Sequence, residues 1–388
     1  MDKRTQLVHL GRTPDNHKGA VNTPVIRTST ILFDSYSEYL AAGTGESKRT
    51  SYGRHGTDTR HDLETTLAAL DGMEKAFICP SGVSAIVLAI GAFLKTGDHL
   101  LMVDTVYGPT RMYCDVELKR MGIETTYYSP EMGANIEDLF RETTRMVFVE
   151  SPGSITFEVQ DVPAIAEVAH RNNAIVLADN TWATPLAPTP AGLGVDVIIH
   201  SLTKYVCGHS DVLMGCVSAS GNHAKKISTH YKIMGYSVSA DDCYLVSRGL
   251  RTLHVRVKEQ EKNALKLAQW FASRPESLRV LHPAFESCQG HEFWKRDIGM
   301  SCGLFAVIIK PYSQAALANM FNSMRLFAMC FSWGGYESLL ITLDPSISRT
   351  ALPWKEEGVV LRVHAGLESA DDLIADLEAG FARLNAGA

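Results

Sequence analysis

Four short stretches set reactive or ligand-holding residue types where a strand would end. "SLTKY" puts Lys204 between Ser201, Thr203 and Tyr205. A lysine at the mouth of a core strand can snorkel its charge to water. Burial there instead depresses its pKa, and a neutral amine is a nucleophile toward carbonyls. Ser201 and Thr203 offer hydroxyls suited to a phosphate. "LADN" puts Asp179 at the end of an apolar run, where an unpaired carboxylate is costly. It either caps a following helix or holds a protonated ring nitrogen. Ser81, Gly82 and Val83 stand between a strand and a helix. Free N–H groups and the helix dipole favour an anion at such a turn, and Gly82 lets it come close. Tyr107, in "DTVYGPT", is either core or a face on which a planar ligand stacks.

Each stretch alone has an ordinary structural reading. The turn at 81–83 belongs to neither a GxGxxG nor a GxxxxGK[ST] pattern, so dinucleotide and nucleoside-triphosphate fingerprints are absent. Metal chemistry is not expected. The eight cysteines include no CxxC pair, and Cys207 with His209 is better read as local packing. Together, however, the four stretches describe an electrophilic aromatic phosphate, pyridoxal phosphate. Lys204 is then the Schiff-base lysine and Asp179 the partner of the pyridinium. Tyr107 supplies the stacking face. Ser81, Gly82, Val83, Ser201 and Thr203 form the phosphate cradle.

Such a constellation needs a sheet whose strand ends converge. From about 61 to 240, apolar strands alternate with helices: "KAFIC", "HLLMVD", "IETTYYS", "RMVFVES", "AIVLADN", "VDVIIHS" and "MGCVSAS" read as strands. Near-continuous apolar strands separated by helices predict a mostly parallel α/β sheet covered on both faces. Ligands bind beyond the carboxyl ends of such strands. Residues 240–275 predict a long amphipathic helical region with a break at Gly249. Strands at 301–310 and 358–368 and a final helix from Ser369 predict a smaller α+β unit. In that helix Asp372 is placed like a capping-box acid, and Leu373, Leu377, Phe381 and Leu384 form one apolar face. The expected division is an arm over 1–60, a ligand-binding unit over 61–249 and a smaller unit over 250–388.

The 388 residues are 45% hydrophobic and 21% charged, with a net charge of −6. That excludes the basic face of a nucleic-acid binder, and no apolar run is long enough to span a membrane. The first residues show no apolar signal region, so a cytosolic chain with reduced, buried thiols is expected.

"SLTKY", "LADNTW", "RGLRTL" and "SWGGYESL" strongly resemble the Cys/Met-metabolism family of pyridoxal-phosphate enzymes, in family order and at family spacing over nearly the whole chain. "ESPGSITFEV", "SYGRHGTDT" and the tryptophan of "SWGG" are similar to its β-lyase branch rather than to γ-acting members. One departure is Phe331, where β-lyases carry tyrosine and γ-lyases often carry glutamate. The resemblance implies the aspartate aminotransferase type I fold. It implies carbon–sulfur β-elimination from L-cystathionine, giving L-homocysteine, pyruvate and ammonia. The alternative it leaves is a related lyase acting on cysteine, on S-alkyl cysteines, or by γ-elimination. It also implies that Tyr52 and Arg54 reach the cofactor phosphate of a neighbouring subunit, in a homotetramer built of site-sharing dimers. Arg362 is the implied clamp for the substrate α-carboxylate, with Ser332 and Trp333 lining the substrate side.

Overall fold

The computed structural model describes residues 1–44 and 49–387. Among them, the first sheet holds β1 (Lys75–Cys79), β2 (His99–Val103), β3 (Glu124–Tyr128), β4 (Thr144–Glu150), β5 (Ile175–Asp179), β6 (Val197–Ser201) and β7 (Gly215–Ala219). Their order is β1-β7-β6-β5-β4-β2-β3. The run from β3 to β6 is parallel. β2 and β7 are buried at every residue, as strands covered on both faces must be. The mostly parallel α/β sheet is therefore as expected, except that β7 lies antiparallel between β6 and β1. No helix stands between β6 and β7. Without a helical crossover the chain returns antiparallel, and the returning segment carries Lys204.

The second sheet, all antiparallel, has the order β10-β11-β9-β8. Its strands are β8 (Ser277–Leu281), β9 (Leu304–Ile309), β10 (Leu339–Leu343) and β11 (Val359–His364). β9 and β11 fall where expected. β8 and β10 were not foreseen in the sequence. Both are edge strands, and the exposed Leu278 and Arg279 break the alternation in β8.

Three features correct the sequence reading. The helical break comes at Thr252, between helices Ala240–Arg251 and Leu253–Ala272. Gly249 stays buried within the first helix, its carbonyl accepting from Arg256 Nη2 at 2.7 Å. Ser369 precedes helix Ala370–Ala386 but makes no side-chain cap bond, so no capping box forms. Asp371 and Asp372 lie in its first turn, where the helix dipole favours acids. Finally, seven cysteines are buried but Cys330 is exposed.

Three apolar cores hold the molecule. One surrounds the first sheet. Another lies under the second sheet and includes Leu373, Leu377, Phe381 and Leu384. The remaining core is shared: Leu202, Tyr205 and Val206 pack with Leu304, Ala306, Ile308 and Val360. The Lys204 segment of one sheet is thus pressed against the strands of the other. At the N-terminus, helix Lys3–His9 docks through buried Leu7, whereas helix Tyr36–Thr44 buries no residue.

Candidate active site

The parallel strand ends deliver polar residues in order. Glu150 closes β4, Asp179 closes β5 and Ser201 closes β6. β7 is antiparallel to both β6 and β1, so Gly215 pairs with Ser201 on one side and Cys79 on the other. That brings the Ser81-Gly82-Val83 turn beside Ser201. A side chain at Gly82 would meet Ser201 Oγ at 2.7 Å, so only glycine fits this contact. Ser81 caps helix Gly82–Gly91 in a reciprocal box with Ser84, which commits its hydroxyl locally. The helix N-terminus is then an anion site made of backbone N–H groups. Thr203 is engaged differently from the expectation. Its hydroxyl donates to the Met214 carbonyl at 3.2 Å and accepts the Met214 N–H at 3.0 Å.

Lys204 follows on the return segment. Its Nζ donates to Ser332 Oγ at 2.9 Å and lies 5.2 Å from the Trp333 ring centroid. Burial, reinforced by the nearby Arg362 charge, pulls the ammonium down to about 8. Arg362, on β11, donates through Nη2 to the carbonyls of Cys330 and Ser332 at 3.0 and 3.1 Å. Ser332 therefore links the arginine of one sheet to the lysine of the other. Gly334 makes this junction possible. Its φ is +88°, and a Cβ there would stand 2.9 Å from the Lys204 carbonyl carbon. Trp333 packs on Tyr205 at 5.4 Å between centroids, so it walls the lysine.

Asp179 is partly buried, and Thr181 donates to Oδ1 at 3.0 Å. Burial pushes its carboxyl up, against the Thr181 hydrogen bonds and the charges of His200 and Lys204. Such a carboxylate is completed by a cation. Tyr107 follows β2 and is partly exposed. Its N–H donates to Glu150 Oε2 at 2.8 Å.

Glu150 was missed in the sequence reading, although it ends a strand as Asp179 does. The register places Glu150 directly opposite Asp179. Burial, together with the Asp179 charge, pushes its carboxyl well up. Two adjacent carboxyls cannot both ionise cheaply, so the pair favours a single negative charge. The signal available was the matching position of "VFVE" and "VLAD" on neighbouring parallel strands.

Tyr52 and Arg54 are not brought to this cluster. Tyr52 bridges Thr30, and Arg54 donates to the Lys232 carbonyl at 3.2 Å. They border a surface cleft with Arg27, Ser237 and Asp241. His209 contacts the Cys207 carbonyl, and no metal-binding group of His, Cys, Asp or Glu is present among the described residues.

A family model for Cys/Met metabolism PLP-dependent enzymes matches residues 4–382. The chain belongs to that family. It is 41% identical over 98% of both chains to an Escherichia coli protein named cystathionine beta-lyase MetC. It is 38% identical, over 99% of this chain and 98% of the other, to a Wolbachia pipientis protein named L-alanine/L-glutamate racemase. The crystal structure of metB from Corynebacterium glutamicum superposes with a TM-score of 0.91 at 29% identity, covering 99% of this chain and 98% of that one. Members of this family use pyridoxal phosphate, and the site fits it. Gly82 beside Ser201, the raised carboxyl of Asp179 and the lowered lysine Lys204, which feels the Asp179 charge, stand together at the ends of these strands.

Proposed function

We propose that this chain is a carbon–sulfur β-lyase that converts L-cystathionine and water to L-homocysteine, pyruvate and ammonia. The observation that carries the reading is the Lys204–Ser332–Arg362 chain, which sets a proton-transferring amine beside a carboxylate clamp. The name of the Escherichia coli relative supports the choice of substrate.

Pyridoxal phosphate, held by Lys204, Asp179, Tyr107 and the N–H groups of Gly82 and Val83, supplies an electron sink for charge developing at the substrate Cα. Arg362 binds the substrate α-carboxylate through guanidinium N–H groups that hold no partner among the described residues. That pins the α-carbon over the Lys204 amine. Lys204, lowered to about 8, takes the Cα proton as a neutral base. The same ammonium then returns a proton to the departing thiolate. Ser332 Oγ accepts from Nζ and keeps the amine aimed during both transfers. Asp179 sets a carboxylate beside these groups, and the raised carboxyl of Glu150 next to it favours a single negative charge there. Trp333 excludes water from the lysine.

Phe331, 89% exposed, places no carboxylate at the cleft mouth, which speaks against γ-elimination. The arm supports activity only in an assembly. Tyr52 and Arg54 lie away from Lys204 in their own chain, and helix Tyr36–Thr44 covers nothing. Both fit a homo-oligomer in which the arm reaches a neighbour's phosphate. We assign the arm to 1–60, the cofactor-binding unit to 61–249 and the smaller unit to 250–388.

The deciding experiment incubates the holoenzyme with L-cystathionine and assays pyruvate, 2-oxobutyrate and free thiol. Pyruvate with thiol is expected, and 2-oxobutyrate overturns the β-elimination reading. The Wolbachia relative's name motivates one control, loss of optical rotation from L-alanine. Racemisation faster than thiol release would make proton return to Cα the main activity.

A further inference from the structure

The connection from β10 to β11, residues 344–358, is long for a hairpin and leads into the strand that carries Arg362. It is anchored to the other sheet at two buried points. Asp104 lies just past β2, three residues before Tyr107, and its side chain is fully buried. Its carboxylate accepts the backbone N–H groups of Thr350, Ala351 and Leu352 at 2.9–3.1 Å, and also the Thr350 hydroxyl and Arg111. Arg349 is the second anchor, its side chain only 3% exposed. It donates to Glu158 Oε1 at 2.7 Å and to Thr156 Oγ1, while Thr156 donates to Glu158 Oε2 at 2.6 Å.

Thr156 and Glu158 belong to the "SPGSITFEV" stretch that follows Glu150. That stretch holds Ile155 and Phe157 at φ values of +73° and +63°. A β-branched residue in this region is strained, and such strain persists where the surroundings over-determine it. The same stretch is tied to the Tyr107 turn, because the Ser154 N–H donates to the Thr105 carbonyl at 2.8 Å. A buried ion pair adds little stability over apolar packing, so its value lies in fixing one arrangement.

We propose that Arg349 and Asp104 are positioning residues. They clasp the β10–β11 connection to the strand ends of the first sheet, and so hold Arg362 at working distance from Lys204 and Tyr107. "SPGSITFEV" then acts as the seat of Arg349 rather than as a substrate contact. The inference rests on Arg362 binding the substrate α-carboxylate.

The test compares the wild-type holoenzyme with Arg349→Gln, Arg349→Lys and Asp104→Asn. In Arg349→Gln the KM for cystathionine rises about ten-fold, while kcat changes by less than about three-fold. Arg349→Lys, which keeps the charge, recovers part of that loss. Bound-cofactor absorbance stays at the wild-type level, because Lys204, Asp179 and Gly82 all lie on the first sheet's side. Hydrogen exchange at the amides of 350–352 speeds up in Asp104→Asn. A folded Arg349→Gln enzyme with wild-type KM overturns the clasp, as does equal loss of kcat and cofactor. If Arg349→Gln does not fold, the KM of Asp104→Asn decides in the same way. Wild-type enzyme whose cofactor spectrum does not respond to glycine, a bare amino-acid carboxylate, overturns the Arg362 reading instead.

Discussion

Lys204 is lowered because burial removes water from its ammonium and Arg362 adds a like charge nearby. In the cofactor-free chain its labelling by an amine-acylating reagent should therefore rise through a midpoint of about 8. In Arg362→Ala that midpoint should move up, and an unmoved midpoint would remove Arg362 from the amine's surroundings. The same substitution should raise the KM for cystathionine by about a hundred-fold, with a smaller change in kcat, because the proposed contact to the substrate α-carboxylate is lost. Lys204→Ala should abolish turnover, and retained lyase activity would refute its role. Glu150 allows a sharper comparison. Burial and the Asp179 charge push the Glu150 carboxyl well up, so Glu150→Gln, which mimics the neutral acid, should hold kcat/KM within about five-fold of wild type. Glu150→Ala frees the Tyr107 N–H and should cost more. A much larger loss in Glu150→Gln would show that the charged form is used.

At the scale of elements, two features hold the proposed catalytic geometry. One is the close approach of Gly334 to the Lys204 backbone. Gly334→Ala puts a side chain both at φ +88° and against the Lys204 carbonyl carbon. The left-handed conformation alone costs about 1–2 kcal/mol. Steady-state kinetics should show kcat lowered by more than about ten-fold as Ser332 loses its aim at Nζ. The other is Asp104. Burial raises its carboxyl, but the Leu352 and Thr350 N–H groups and Arg111 outweigh burial and hold it below the usual carboxylate range. A depressed folded pKa contributes stability above the unfolded value of about 3.9, lost as pH falls through the folded value. Between about pH 5 and pH 3, wild type should lose more thermal stability than Asp104→Asn does. Equal losses would mean that Asp104 titrates alike in both states.

For the whole molecule, the arm is the part that we propose acts outside its own chain. Helix Tyr36–Thr44 exposes Tyr36, Tyr39 and Leu40, and Arg54 sits on a cleft away from Lys204. If the arm completes a neighbour's site, Lys204→Ala and Arg54→Ala chains, each nearly inactive, should regain activity when dissociated and reassembled together. Mixed assemblies then contain some sites with both residues intact. Absence of recovery would place Arg54 in its own chain's site or in none.

The residue types and their order in the sequence determined the α/β class and the candidate lysine, aspartate, tyrosine and phosphate-binding turn. Each is a local signal: an apolar strand, then a polar residue at its end. The edge strand β8 was hidden because Ser277 and Arg279 interrupt its apolar residues, whereas β10 is apolar but only five residues long. The hydrogen bonds between the Thr203 hydroxyl and Met214 came only with the return of β7. Glu150 gained a role only when β4 and β5 came into register. The Ser332 link, the Gly334 contact and the Arg349–Asp104 clasp join residues more than a hundred positions apart. They depend on how two sheets share one core, and only the packed tertiary structure decides that.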